Sequence, residues 1–124
     1  MNLRAPLQRV RGHGSAKEGV EHWWMQRLTA IALVPLTIWI VASLAFLAGA
    51  SHAEMSAWIA HPGVGIFLVL LIVAVFYHAK LGMQVVIEDY VHAKAVKVTC
   101  LIANSFGAIF LAAICIYSVL KIAL

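Results

Sequence analysis

The sequence predicts an all-α membrane protein with three transmembrane helices, and three features lead there: its composition, its three long apolar runs, and the placement of its basic residues. Of 124 residues, 64% are hydrophobic and 11% charged, whereas soluble domains sit near half apolar and a quarter charged. A bilayer span needs about 20 consecutive apolar residues, and runs of that length cover about 24–49, 63–87 and 98–120. They leave only tails and short connectors, so no separate soluble domain is expected. The formal net charge of +4 does not gather on one folded face but flanks the apolar runs. That distribution is a topology signal and not a nucleic-acid site, so the expected surroundings are a lipid bilayer.

Residues 1–22 form the expected basic tail, with Arg4, Arg9, Arg11 and Lys17 and with Pro6, Gly12, Gly14 and Gly19 breaking any periodicity. The anchor domain follows over 23–124. Its first span opens at Trp23 and Trp24, which suit the interfacial aromatic belt, and carries charge only at Arg27. Pro35 is expected to bend this helix near its middle, which membrane spans tolerate because neighbours satisfy the freed carbonyl. A basic segment, an apolar run and the small residues Ala48, Gly49 and Ala50 also resemble a signal peptide. The run is too long for the usual 7 to 15 residues, which favours an uncleaved helix.

The connector from Ser51 to Pro62 carries Glu54, His52, His61 and Trp58 without a Lys or Arg, and has room for a short interfacial helix. The second span is apolar from Val64 to Tyr77 and then contains His78 and Lys80. Glu88, Asp89, Tyr90, His92, Lys94 and Lys97 form the next polar patch, and Lys121 lies near the end of the third span. Basic residues are therefore plentiful before the first span, absent from the first connector and present again in the second. The amino terminus is expected in the cytoplasm and the carboxyl terminus on the opposite side. Cys100 and Cys115 would lie roughly 22 Å apart along one helix, too far to pair, and serve as small apolar filler.

His78 lies eleven residues before Asp89, which puts it roughly 16 Å deep and close to the midplane. Ionisable groups at that depth are rare and usually functional. The alternatives are an interhelical hydrogen bond from a neutral imidazole and a ligand role. Ala74 and Gly82, four residues to either side, leave a flat surface that would admit either a porphyrin edge or a packed helix. Lys80 lies about 200° round the helix from His78 and is expected to snorkel toward the nearer interface. Arg27 could serve as a topology anchor or pair with a carboxylate such as a haem propionate. Asp89 returns to the His78 face at the membrane boundary. With the phenol of Tyr90 beside it, it could bind and help protonate a polar head group, or both could be ordinary interfacial residues.

His78, Ala79, Gly82, Met83, Gln84 and Val85, followed by Asp89, Tyr90 and Val91, resemble the H-A-x-x-G-M-x-Q-V and D-Y-V signature of the hydrophobic membrane anchor subunits of succinate dehydrogenase, respiratory complex II. Here Gln84 directly follows Met83, while the step from His78 to Tyr90 is similar to the family's. Arg27, Leu28, Thr29, Ala30 and Ile31 are similar to the R-x-T-A-I opening of the family's first helix. The resemblance covers nearly the whole chain. It implies that His78 gives one axial ligand to the iron of a b-type haem, the other coming from a second membrane anchor subunit. It also implies that Arg27 lies near the haem propionates and that Tyr90, with Asp89, helps bind ubiquinone.

The implied partners are that second membrane anchor subunit, an iron–sulfur subunit and a flavoprotein subunit, in an assembly that oxidises succinate. The implied location is the bacterial inner membrane, ahead of the mitochondrial one. The chain itself shows no nucleophile, nucleotide fingerprint or cluster-binding cysteine set, so its expected part in the enzyme is non-catalytic. Two rival readings come from other classes. One is a structural or assembly protein whose His78 only packs. The other is a proton-coupled transporter, for which three spans without an inverted repeat offer little machinery.

Overall fold

The computed structural model describes residues 16–124, with side chains from residue 19 onward. The chain folds into α1 (Ala16–Phe46), α2 (His52–Ala60), α3 (Pro62–Tyr90) and α4 (Lys94–Ala123), with no strand among the described residues. Three of these are long and apolar enough to cross a membrane, over Gly19–Phe46, Pro62–Tyr90 and Lys94–Ala123. In hydrocarbon each backbone group must be satisfied within its own segment, which an uninterrupted helix achieves.

α3 and α4 outrun their expected spans at both ends, whereas α1 starts earlier than expected and stops at Phe46, short of the expected end at 49. α1 begins at Ala16, inside the stretch expected as a tail, α3 continues to Tyr90 and α4 starts at Lys94. The backbone thus stays helical past the apolar runs, through the polar residues that flank them. Residues 1–15 of the expected tail, with Arg4, Arg9 and Arg11, lie outside the described residues. Pro35 sits inside α1, which remains one helix. Among the described residues the backbone leaves the ordinary left half of conformational space at Gly49, whose φ of +86° ends the turn after α1.

The short helix in the first connector has a sequence-encoded start. Ser51 caps it in a capping box: the Ser51 N–H donates to Glu54 Oε2 at 2.7 Å and the Glu54 N–H to Ser51 Oγ at 3.3 Å. The Ser51 backbone N–H first, and the Ser51 hydroxyl after it, hold the Glu54 carboxyl below its ordinary value. His61 ends α2 and starts α3: its N–H donates to the Trp58 carbonyl, and its Nδ1 accepts from the Gly63 N–H at 3.2 Å. Pro62 follows at the first turn, where a missing N–H costs nothing. Trp39 of α1 stacks on Trp58 at 5.9 Å and meets Phe67 of α3 edge-on at 5.3 Å, so aromatic contacts tie α1, α2 and α3 at this end.

α3 is the central helix. α1 packs on one flank and α4 on another, α2 rests on α3 and α4, and α1 and α4 do not pack on each other. The interior is slight: among the described residues the buried apolar ones are Ala74, Leu81 and Ile87, all on α3. Large apolar side chains such as Ile31, Ile38, Phe106, Ile109 and Phe110 point outward. In water such a surface would aggregate, whereas in a bilayer it faces lipid or partner helices, and polar side chains hold the spans together. Asn104 Nδ2 donates to the Lys80 carbonyl at 2.9 Å, joining α4 to α3, and Lys97 Nζ donates to the Glu88 carbonyl at 3.0 Å across the second connector.

Candidate functional site

His78 lies near the middle of α3 and is half-buried. Its flank of the helix faces α1, where Thr29 Oγ1 sits 2.9 Å from His78 Nδ1. Thr29 is buried, with 8% of its surface exposed. The same hydroxyl lies 2.7 Å from the Met25 carbonyl oxygen and 3.1 Å from that of Gln26. This back-bonding to the preceding turn is a favoured threonine rotamer in helices, so the local sequence aims the side chain before α3 arrives. His78 Nε2, on the far side of the ring, has no hydrogen-bond partner among the described residues and is not closed off by the chain.

The flat stripe of Ala74 and Gly82 beside His78 is not left open to a porphyrin edge on the α1 side. A methyl group at Gly82 would lie 3.7 Å from Gln26 Nε2, an ordinary contact distance, so α1 packs over this stripe and the small residues serve helix approach. The face of α1 that meets α3 is a polar stripe of His22, Gln26 and Thr29, spaced to fall on one side of the helix. Two atoms on it, His22 Nε2 and Gln26 Oε1, are buried without a hydrogen-bond partner. Sequence inspection passed over this stripe. The signal was there in the i, i+4, i+7 spacing of polar residues at the start of an apolar run.

Arg27 is exposed, with its guanidinium carbon 5.4 Å from the centroid of the Trp23 ring one turn earlier. It lies roughly 160° round α1 from Thr29 and about 3 Å along the axis, so the structure does not bring Arg27 and His78 together directly. Lys80 sits on the other flank of α3, toward α4, with Nζ 5.8 Å from the centroid of the Tyr77 ring. It borders an open apolar groove between α3 and α4 of about 330 Å³, lined by Val73, Phe76 and Ile109 among others.

Asp89 and Tyr90 close α3 at the other end of the site. Both are exposed, Tyr90 by 79%, and Gln84 and Glu88 pair next to them through a 2.9 Å bond from Gln84 Nε2 to Glu88 Oε1. The structure therefore places Tyr90 and Asp89 together at one helix end, about 18 Å along the axis from His78. Among the described residues no wall encloses them. Among the described residues no group of three or more His, Cys, Asp and Glu gathers to hold a metal ion.

Three apolar spans with so little enclosed interior, and with half-buried and exposed polar groups turned outward, define an integral membrane protein of the three-helix class. The succinate dehydrogenase/fumarate reductase transmembrane subunit model matches residues 1–120. Curated relatives agree. The chain is 39% identical over 105 residues to the succinate dehydrogenase hydrophobic membrane anchor subunit of Rickettsia bellii, covering 82% of each. It is 31% identical over 102 residues to that of Rickettsia conorii, covering 82% of this chain and 81% of the relative. It is 27% identical over 113 residues to that of Paracoccus denitrificans, covering 91% and 88%. The chain belongs to the succinate dehydrogenase/fumarate reductase transmembrane subunit family, among the membrane anchor subunits of succinate dehydrogenase.

Proposed function

We propose that this anchor subunit supplies His78 as one axial ligand of a b-type haem and Tyr90, with Asp89, as part of a ubiquinone-reduction site. The observation that carries the reading is the Thr29–His78 contact: one ring nitrogen is held by α1 and the other is left without a protein partner at mid-membrane depth. A neutral imidazole in that state fits an axial donor to a haem iron. A single such histidine gives one ligand, so the other comes from a second membrane anchor subunit. A bound b-type haem supplies a one-electron redox centre. Arg27, exposed on the outer flank of α1, would meet a propionate carboxylate brought by a group lying outside this chain.

At the end of α3, the Tyr90 hydroxyl donates to a quinone carbonyl oxygen, and Asp89 beside it passes protons from the aqueous side. The 79% exposure of Tyr90 in the isolated chain supports a site whose remaining walls come from partner subunits. Those partners are the second membrane anchor together with the iron–sulfur and flavoprotein subunits, which carry the succinate chemistry and deliver electrons to the quinone. The assembly sits in the bacterial inner membrane with the α3–α4 connector on the cytoplasmic side, following Lys94 and Lys97. Purifying the chain with its native partners and recording a reduced-minus-oxidised visible spectrum tests the redox reading. A b-type spectrum supports it, and a haem-free but otherwise intact complex would leave a purely structural anchor.

A further inference from the structure

We propose that Thr29 is the positioning residue for the haem ligand: its hydroxyl accepts the Nδ1 proton of His78 and so fixes the tautomer whose Nε2 carries the free lone pair. This rests on the reading of His78 as an axial ligand and goes further, because it assigns a second residue, on another helix, that decides how the ligand is presented.

The threonine hydroxyl has one proton to give. Thr29 Oγ1 is 2.7 Å from the Met25 carbonyl oxygen, the usual separation for an O–H···O bond. Two oxygens that close with no proton between them would set lone pair against lone pair, so the hydroxyl proton points at Met25, with the Gln26 carbonyl at 3.1 Å as a weaker second acceptor. Having given its proton to its own helix, Oγ1 can only accept from His78 Nδ1 at 2.9 Å. The imidazole is then protonated at Nδ1, and Nε2 is the nitrogen with an available lone pair. Donating a proton to a neighbour also makes a ligating imidazole a stronger electron donor and fixes its ring orientation. Thr29 is buried, with 8% of its surface exposed, and a hydrogen bond shielded from bulk water is stronger than an exposed one.

The test uses the fully assembled complex carrying Thr29→Val, which keeps the branched shape and removes the hydroxyl, and Thr29→Ser, which keeps the hydroxyl. With the acceptor gone, the imidazole donates less strongly, the ferric state is less favoured, and the haem midpoint potential rises with altered low-spin ferric resonance signals. Thr29→Ser restores both toward the native values. Unchanged potential and unchanged resonance signals in Thr29→Val would overturn the proposal. Thr29→Ala serves where Thr29→Val does not assemble. If neither assembles while Thr29→Ser does, the hydroxyl serves helix packing alone and the proposal is overturned. His78→Ala, measured in parallel, separates the two levels. Loss of the low-spin spectrum there with no effect of Thr29→Val leaves the ligand and removes the positioning role. Retention of the spectrum in His78→Ala removes the ligand itself.

Discussion

Thr29 on α1 and His78 on α3 meet side chain to side chain at 2.9 Å, within two otherwise largely apolar spans. The contact is a polar tie between the first and second spans, and it divides the imidazole into an inner nitrogen held by α1 and an outer one without a partner among the described residues. α3 thus turns its His78 flank to α1 and its Lys80 flank to α4, where the Lys80 carbonyl accepts from Asn104. Both flanks of α3 are therefore packed, one against α1 and the other against α4.

The first prediction concerns orientation. From the bare first connector and the basic second one, residues 51 and 124 are expected outside the cytoplasm and residue 95 inside. Reporter fusions after Ser51, Ala95 and Leu124 should give outside, inside and outside signals in that order. A cytoplasmic signal after Ser51 or Leu124 would reverse the assignment.

Tyr90→Phe removes one hydroxyl and keeps the ring. Losing a donor aimed at a carbonyl where charge develops costs a few kcal/mol, or about a hundredfold in turnover. Quinone reduction by the complex should fall by that order, while succinate oxidation with an artificial acceptor at the soluble subunits stays near normal. Equal and native rates in both assays would make Tyr90 an interfacial belt residue only.

Asn104→Ala deletes the 2.9 Å bond to the Lys80 carbonyl between α4 and α3. Interhelical hydrogen bonds in membranes contribute about 0.6 kcal/mol on average and about 1.7 at most. Thermal unfolding of the solubilised complex should therefore shift by only a few degrees. A collapse of the complex would mean that Asn104 does more than join two helices.

The α2 cap carries a pH dependence of known sign. Bonds from Ser51 lower the Glu54 carboxyl relative to the unfolded chain, so the folded state favours the ionised form. The cap's contribution is present above the ordinary carboxylate value and is lost as pH falls through the lowered folded value. Amide exchange at Ser51 and Glu54 should stay protected through mildly acidic pH and quicken only below it. Loss of protection already above the ordinary carboxylate range would contradict the capping box as the cause.

The three spans were legible because lipid forbids unpaired backbone, so any chain that crosses must show a long apolar run, and these runs sit inside α3 and α4 and, as far as Phe46, inside α1. Their ends were less so. A helix continues into the interface after its apolar residues stop, which is why α1 reaches back to Ala16 and α3 runs on to Tyr90. The short α2 was anticipated only as room for a helix, and its Ser51–Glu54 capping box is the sequence signal that starts it. His78 stood out as an ionisable residue within an apolar run. Thr29 did not, since a threonine bonded to its own helix is ordinary in a membrane span. Its meeting with His78 depends on how α1 and α3 are set against each other, which no local pattern encodes. For the same reason Ala74 and Gly82 could be seen to leave a flat surface, but not that α1 covers it at Gly82.

If the imidazole of His78, held at Nδ1 by Thr29, ligates a haem iron through Nε2, removing the ring must change the iron's spectrum. The decisive experiment is the reduced-minus-oxidised visible spectrum of the purified, assembled complex carrying His78→Ala, with its haem content determined on the same sample. The expected outcome is loss of the low-spin b-type spectrum, through loss of haem or conversion to another spin state, while all four subunits still co-purify. A native low-spin spectrum with an unchanged midpoint potential in that variant would contradict ligation by His78.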